Sequence, residues 1–364
     1  MKISELIRPI EELAPLSLQE SYDNSGLTLG SPGQEVESAL ITLDVTEDVV
    51  DEAIENGCSL IISHHPVIFG SLKRINSNSP VGKIILKAIR NDVALYGVHT
   101  NLDNVTGGVN SMIAEKIGLK NPSILKPIKG LLRKLVTFCP DDHAEKVRKS
   151  LFEAGAGVIG NYDSCSYNVE GYGTFRAGEG ADPFVGEIDK IHHENEARIE
   201  TIFPQYLERV VLKALFETHP YEEVAYDIYP LENEFPVVGA GMVGELADPE
   251  SEEHFLTRMK EVFGVPVIRH TALRGEKITR VAFCGGSGSF LISPAIASGA
   301  QVFLTGDIKY HQFFDADYKI IIADVGHFES EQFTKDLIFR ILKDKFPNFA
   351  LRISKTDTNP VNYL

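Results

Sequence analysis

The chain has no closely spaced cysteines and no long apolar run, and it is short of basic residues. Its four cysteines, Cys58, Cys139, Cys165 and Cys284, lie far apart without a C-x-x-C pair. That spacing argues against both a disulfide scaffold and a thiolate zinc site, and fits a reducing compartment. No stretch approaches the ~20 apolar residues of a membrane span. The N-terminus, Met1-Lys2-Ile3-Ser4-Glu5-Leu6-Ile7, carries an acid where a secretion signal needs an apolar core. A cytoplasmic, soluble protein is therefore expected, with no membrane partner. With 35 Lys and Arg against 52 Asp and Glu, the formal charge is −17. Nucleic-acid binding rests on clustered cations, so it is disfavoured and a small-molecule substrate is the better expectation. A nucleotide stays open as a ligand, provided that metal ions in the site reverse the local potential. At 364 residues and 43% hydrophobic, without low-complexity tracts, the chain is globular and long enough for about two domains.

What is present is alternation. From Leu40 to Leu119 the pattern predicts strand near 38–44, helix near 46–56, strand near 59–63, helix near 80–91, strand near 93–98 and a helix from about 108. This is the order of βαβ units, and runs such as Ala39-Leu40-Ile41-Thr42-Leu43, apolar on both faces, predict parallel strands. The C-terminal part repeats the arrangement: Arg280-Val281-Ala282-Phe283-Cys284, a helix from about 288, Gln301-Val302-Phe303-Leu304-Thr305, a short helix, Ile320-Ile321-Ile322-Ala323 and a final helix from about 328. Laid side by side, His64-His65 fall opposite Gly306-Asp307, and His99-x-x-x-Asp103 falls opposite His327-x-x-x-Glu331. The halves read as a duplication. Between them the periodicity changes to strand (133–139), helix (142–154), two long strands (161–175, 185–203), helix (205–217) and strand (223–229). That βαββαβ order predicts an inserted ferredoxin-like α+β unit, with crossings at Lys126-Pro127 and Phe235-Pro236. The expected fold is α/β: a duplicated parallel-sheet core in residues 1–125 and 235–364, with the insert at 126–234.

Three of the predicted core strands end in side chains suited to a metal. His64 and His65 follow Leu60-Ile61-Ile62 and precede Pro66, while two later strands end in His99-x-x-x-Asp103 and His327-x-x-x-Glu331. Open α/β sheets gather ligands at such strand ends, and imidazole nitrogen with carboxylate oxygen suits zinc, iron, manganese or cobalt. His64, His65, Asp103, His327 and Glu331 form the candidate ligand set. Five side chains leave room for bridging and for water in an open dinuclear site. His99 reads as a ligand, a support for one or a substrate contact. Asp307 and His311, four apart after another strand, are candidate proton-transfer groups, with a helix cap and a surface histidine as the plainer account. Cys284-Gly285-Gly286-Ser287-Gly288-Ser289 reads as an anion-holding turn or as a tight strand-to-helix connection. Asp23-Asn24-Ser25-Gly26 reads first as a turn. His192-His193 reads as exposed strand residues, and Thr218–Glu223 as a connection able to shape a surface.

Taken together, these pieces resemble the Nif-three-like dinuclear metal proteins, the group labelled GTP cyclohydrolase 1 type 2 homologues. The resemblance is carried by Asp23-Asn24-Ser25-Gly26-Leu27, Ser63-His64-His65-Pro66, Gly97-Val98-His99-Thr100-Asn101-Leu102-Asp103, Thr305-Gly306-Asp307 with Tyr310-His311, and Gly326-His327-Phe328-Glu329-Ser330-Glu331. Within the insert, Gly155–Gly160 and Gly173-Thr174-Phe175 resemble the longer members. Tyr22 stands where many members have tryptophan. The resemblance implies that His64, His65, Asp103, His327 and Glu331 bind two divalent ions per chain, zinc first among them. It also implies a PII- or CutA-like insert, a ring-shaped homohexamer and opening of the guanine ring of GTP. A metal-dependent hydrolase is the leading expectation. The alternatives are a non-catalytic regulatory or scaffold ring protein, and a phosphoesterase using the same metal site.

Overall fold

The computed structural model describes residues Met1–Leu364 and is mixed α/β with three sheets. The chain divides into two compact units, one formed by Met1–Pro127 with Pro236–Leu364 and the other by Ile128–Phe235. No helix is long and apolar enough to cross a membrane, and all four cysteines are free.

The first unit holds a five-stranded and a six-stranded sheet. In the five-stranded sheet, Ala350–Ile353, Ser38–Thr42, Leu60–Ser63 and Ala94–Gly97 run parallel in that order, and Gly26–Leu29 closes the edge antiparallel. In the six-stranded sheet, Lys277–Ser287, Val302–Gly306 and Ile321–Asp324 run parallel, and Arg269–His270 closes the edge beside Ile321–Asp324 antiparallel. The long strands Glu234–Ser251 and Lys120–Lys129 extend the other side. Strands 60–63, 94–97, 302–306 and 321–324 are buried at every residue. Helices covering both faces of a sheet demand this pattern, which explains the continuous apolar runs. Ile41, Ile61, Ile62, Phe303 and Ile322 are all fully buried.

Hydrogen bonding continues past the strand ends and carries the chemistry-bearing residues with it. The His64 amide donates to Thr42 O (3.2 Å) and the His65 amide to Leu43 O (2.9 Å). Val98 N donates to Ser63 O, and Val325 N to Thr305 O, each at 2.9 Å. The histidines are therefore seated by the sheet rather than by a free loop.

Some sequence expectations need adjustment. The last helix, expected from about 328, is two helices, His327–Glu331 and Thr334–Lys345. The expected insert strands begin about six residues late, at Tyr167–Arg176 and Ile191–Pro204. Ser164 and Asp189 adopt positive φ (55° and 62°) there, a turn conformation that an extended strand cannot include. The strand Glu234–Ser251 and helix Glu252–Phe263 carried no strong sequence signal.

The second unit has four antiparallel strands in the spatial order Tyr167–Arg176, Ile191–Pro204, Leu132–Pro140, Tyr226–Leu231. Helices Ala144–Glu153 and Glu208–Thr218 pack on one face, burying Leu135, Cys139, Val147, Ile199, Val211 and Leu215.

Candidate metal centre

Six side chains of the first unit converge. Their nitrogen and oxygen atoms form three overlapping groups, each with ligand atoms within 4.8 Å of one another: His64 with Asp103 and Glu331, His65 with His327 and Glu331, and His64 with His65 and His99. His64 and His65 come from the end of strand 60–63, and His99 lies two residues beyond strand 94–97. Asp103 sits one helical turn after His99, its amide donating to His99 O (3.2 Å). His327 and Glu331 share a helix face because four residues make roughly one turn.

The tautomers are set from behind. His64 Nδ1–H donates to Val98 O (2.8 Å), which can only accept. His65 Nδ1 donates to Asp44 Oδ1 (2.7 Å), His327 Nδ1 to Asp307 Oδ2 (2.7 Å) and His99 Nδ1 to Asp23 Oδ1 (2.8 Å). With each Nδ1 engaged, the neutral ring presents its Nε2 lone pair inward. Outer carboxylates and carbonyls orient metal-binding imidazoles in this way.

What faces inward is unsatisfied. His64 Nε2, Asp103 Oδ1 and Glu331 Oε2 are buried atoms with no hydrogen-bond partner. Glu331 Oε2 lies 3.0 Å from His65 Nε2 and 3.1 Å from His327 Nε2, while its Oε1 lies 3.8 Å from His64 Nε2. His65 Nε2 and His327 Nε2 are only 3.4 Å apart. Facing lone pairs repel unless a cation or proton lies among them. Buried polar groups are ordinarily paired, so this donor set fits a metal.

Without metal, protons must do that work. Burial alone would lower His65, but Asp44 and Glu331 outweigh it and hold the ring up to about 10. Burial is likewise outweighed at His327, which Glu331 and Asp307 hold up to about 9. Burial pushes Asp103 up to about 8, and the Glu331 charge adds to it. Burial would raise Glu331 too, yet the rings of His327, His64 and His65 keep it well below the usual carboxylate range. At Asp23 burial is overcome by the His99 ring and the Thr100 hydroxyl, which hold the carboxylate low.

Glycines make the approach possible. Gly286 has φ +63°, and a Cβ there would collide with the Glu331 carboxylate. The turn around it is not open to an anion at these amides, because Gly285 N donates to Asn110 Oδ1 (3.0 Å) and Gly286 N to Ser330 Oγ (2.9 Å). A cleft of about 660 Å³ opens beside His65 and His327, lined among others by Asp44, Arg269, Asp307, Asp324 and Asn359.

The other sequence candidates fall as follows. Asp307 touches His327 rather than the open side of the cluster. His311 lies on the exposed 3₁₀ turn Tyr310–Ala316, against Tyr310 and Phe314, and belongs to none of the three groups. His192 pairs with Glu194 on a strand of the other unit, with His193 exposed beside it. Asp23, expected first as a turn residue, orients His99. Asp44 was missed, although it lies two residues past strand Ser38–Thr42 and shows the same strand-end signal as the histidines.

Two expectations follow. Asp307→Ala should leave the fold intact and weaken zinc binding by about 10–100-fold, measured by competition with a chromogenic chelator; unchanged affinity would contradict the orienting role. The raised His65 and His327 values mean that metal must displace protons present below about 9–10. Affinity should therefore tighten as pH rises towards those values. Calorimetry in two buffers of different ionisation enthalpy should show net proton release near neutral pH, and equal heats in both would contradict it.

The chain has relatives among known sequences and solved structures. The chain is 38% identical to a protein of Bacillus subtilis and 39% identical to one of Halalkalibacterium halodurans, both named GTP cyclohydrolase 1 type 2 homolog. Each alignment covers 99% of this chain and 98% of the relative. Among solved structures, a Bacillus cereus protein related to NIF3 superposes with TM-score 0.88 at 40% identity, covering 100% of this chain and 99% of that one. A Staphylococcus aureus protein superposes with TM-score 0.79 at 32% identity, with the same coverage. The sequence profile of the Duf34/NIF3 (NGG1p interacting factor 3) family matches residues 1–360, and the chain belongs to that family.

Proposed function

We propose that the chain is a hydrolase dependent on two divalent metal ions, with ring opening of GTP as the leading candidate reaction. The observation that carries the reading is the division of Glu331. Its Oε1 faces His64 and its Oε2 faces His65 and His327, as a carboxylate shared by two ions would. In this reading His64, Asp103 and Glu331 would hold one ion, and His65, His327 and Glu331 would hold the other, zinc being the first candidate. Bound there, the ions would activate water and polarise the attacked centre.

This chain's residues supply the rest. Asp44 and Asp307 keep the Nε2 atoms of His65 and His327 turned inward. His99 is the candidate proton carrier, its ring oriented by Asp23 and its Nε2 side towards the cluster. The cleft beside His327 would receive the substrate, with Arg269, paired to Asp324, in its wall. The relatives' printed name supports GTP as the first substrate to try.

Three further parts belong to the proposal. In each sheet three neighbouring parallel strands, Ser38–Thr42, Leu60–Ser63 and Ala94–Gly97 in one and Lys277–Ser287, Val302–Gly306 and Ile321–Asp324 in the other, are followed by an antiparallel edge strand, which supports a duplicated core. The spatial order of the four insert strands supports a ferredoxin-like unit. Free, widely spaced cysteines support a cytoplasmic location, and the family resemblance supports a ring-shaped homohexamer.

The test is mass-spectrometric product analysis of GTP incubated with zinc-reconstituted protein beside its His327→Ala variant. Ring-opened product or formate from the wild type alone is expected. GTP recovered intact would overturn ring opening, and inorganic phosphate as the product would replace it with phosphoester hydrolysis.

A further inference from the structure

We propose that the inserted unit carries a small-molecule site of its own, shaped for a planar nitrogen heterocycle that presents N–H and amino donors on one edge. The site is built wholly from residues of the Ile128–Phe235 unit and does not rest on the hydrolase reading.

Its origin is the alternation of the sheet. Leu135, Cys139 and Ile199 pack under the two helices, so their strand neighbours Phe138, Glu196 and Arg198 point to the opposite face. Tyr221 and the segment around Pro183-Phe184 flank that face, forming a half-open pocket of about 660 Å³. The volume falls within the range of small-molecule sites, which are mostly apolar with a few convergent polar groups.

The buried carboxylate among its lining residues is Glu196. It is only 9% exposed, deep among aromatic side chains. A buried carboxylate needs hydrogen bonds to offset its desolvation. Tyr221 Oη donates to Oε1 at 2.8 Å. Oε2 lies over Gly173, where a Cβ would collide with it. An ionised carboxylate accepts about four hydrogen bonds, so one donor leaves acceptor capacity on the cavity side. The missing side chain at residue 173 is what lets the carboxylate lie flat on the sheet.

The walls select the shape of the occupant. Phe175 and Phe184 flank Tyr221 with ring centroids 6.1 and 6.3 Å away. The Arg198 guanidinium lies 5.9 Å from the Phe138 centroid and continues the stacking surface. Aromatic and guanidinium planes favour a flat, π-rich ligand. No metal-binding group of three ligands includes Glu196, so a bare cation is poorly matched. Guanine matches best, because its ring N–H and amino donors lie side by side and face both oxygens of one carboxylate.

The experiment is calorimetric titration of the full chain with guanosine, which lacks phosphate, and with inosine and adenosine. Guanosine should bind most tightly. Glu196→Gln, which keeps an acceptor for Tyr221, should weaken it by about tenfold or more. Phe175→Leu, which keeps apolar bulk but removes a stacking ring, should also weaken it, and circular dichroism will establish that both variants fold. The proposal is overturned if guanosine fails to bind at millimolar concentration. It is equally overturned if folded Glu196→Gln and Phe175→Leu bind as the wild type does.

Discussion

The structure turns on one buried carboxylate. Glu331 is 3% exposed and is reached by three imidazoles, a position that desolvation makes costly unless opposite charge surrounds it. Much of the local sequence serves that need. Gly286 gives up its side chain so the carboxylate can pass, and Ser330, one residue earlier, accepts from the Gly286 amide. Asp44 and Asp307 hold the rings of His65 and His327 against it.

Charge balance bears on what the centre could hold. Asp23, Asp44, Asp103, Asp307 and Glu331 bring five carboxylates to four imidazoles. Neutral histidines would leave a strongly negative cluster in a partly dry setting. Protons offset this by raising His65, His327 and Asp103. Two divalent ions would offset it without protonated ligands, and would couple metal binding to the stability of the folded unit.

The strands that carry the site were legible because burial on both faces writes long apolar runs, and a histidine or carboxylate just past such a run stands out. The same rule reached His64, His65, Asp103, His327 and Glu331, and it applies equally to Asp44, whose acidic side chain looked ordinary beside Thr46 and Glu47. Asp23 was hidden differently: its role depends on His99, 76 residues away, and local sequence reports only a turn. The glycine-rich turn at Cys284–Ser289 invited an anion because glycine permits exposed amides. In the folded chain two of those amides are used by Asn110 and Ser330, and the glycine is spent on proximity to Glu331. Glu196 left no trace either, since its meaning comes from Gly173 and Tyr221 on neighbouring elements.

If Glu331 joins two metal positions, anomalous diffraction from crystals of zinc-reconstituted protein will show two zinc peaks in each chain, one bounded by His64 and Asp103, the other by His65 and His327, with Glu331 between them. A single peak, or peaks remote from Glu331, would contradict it.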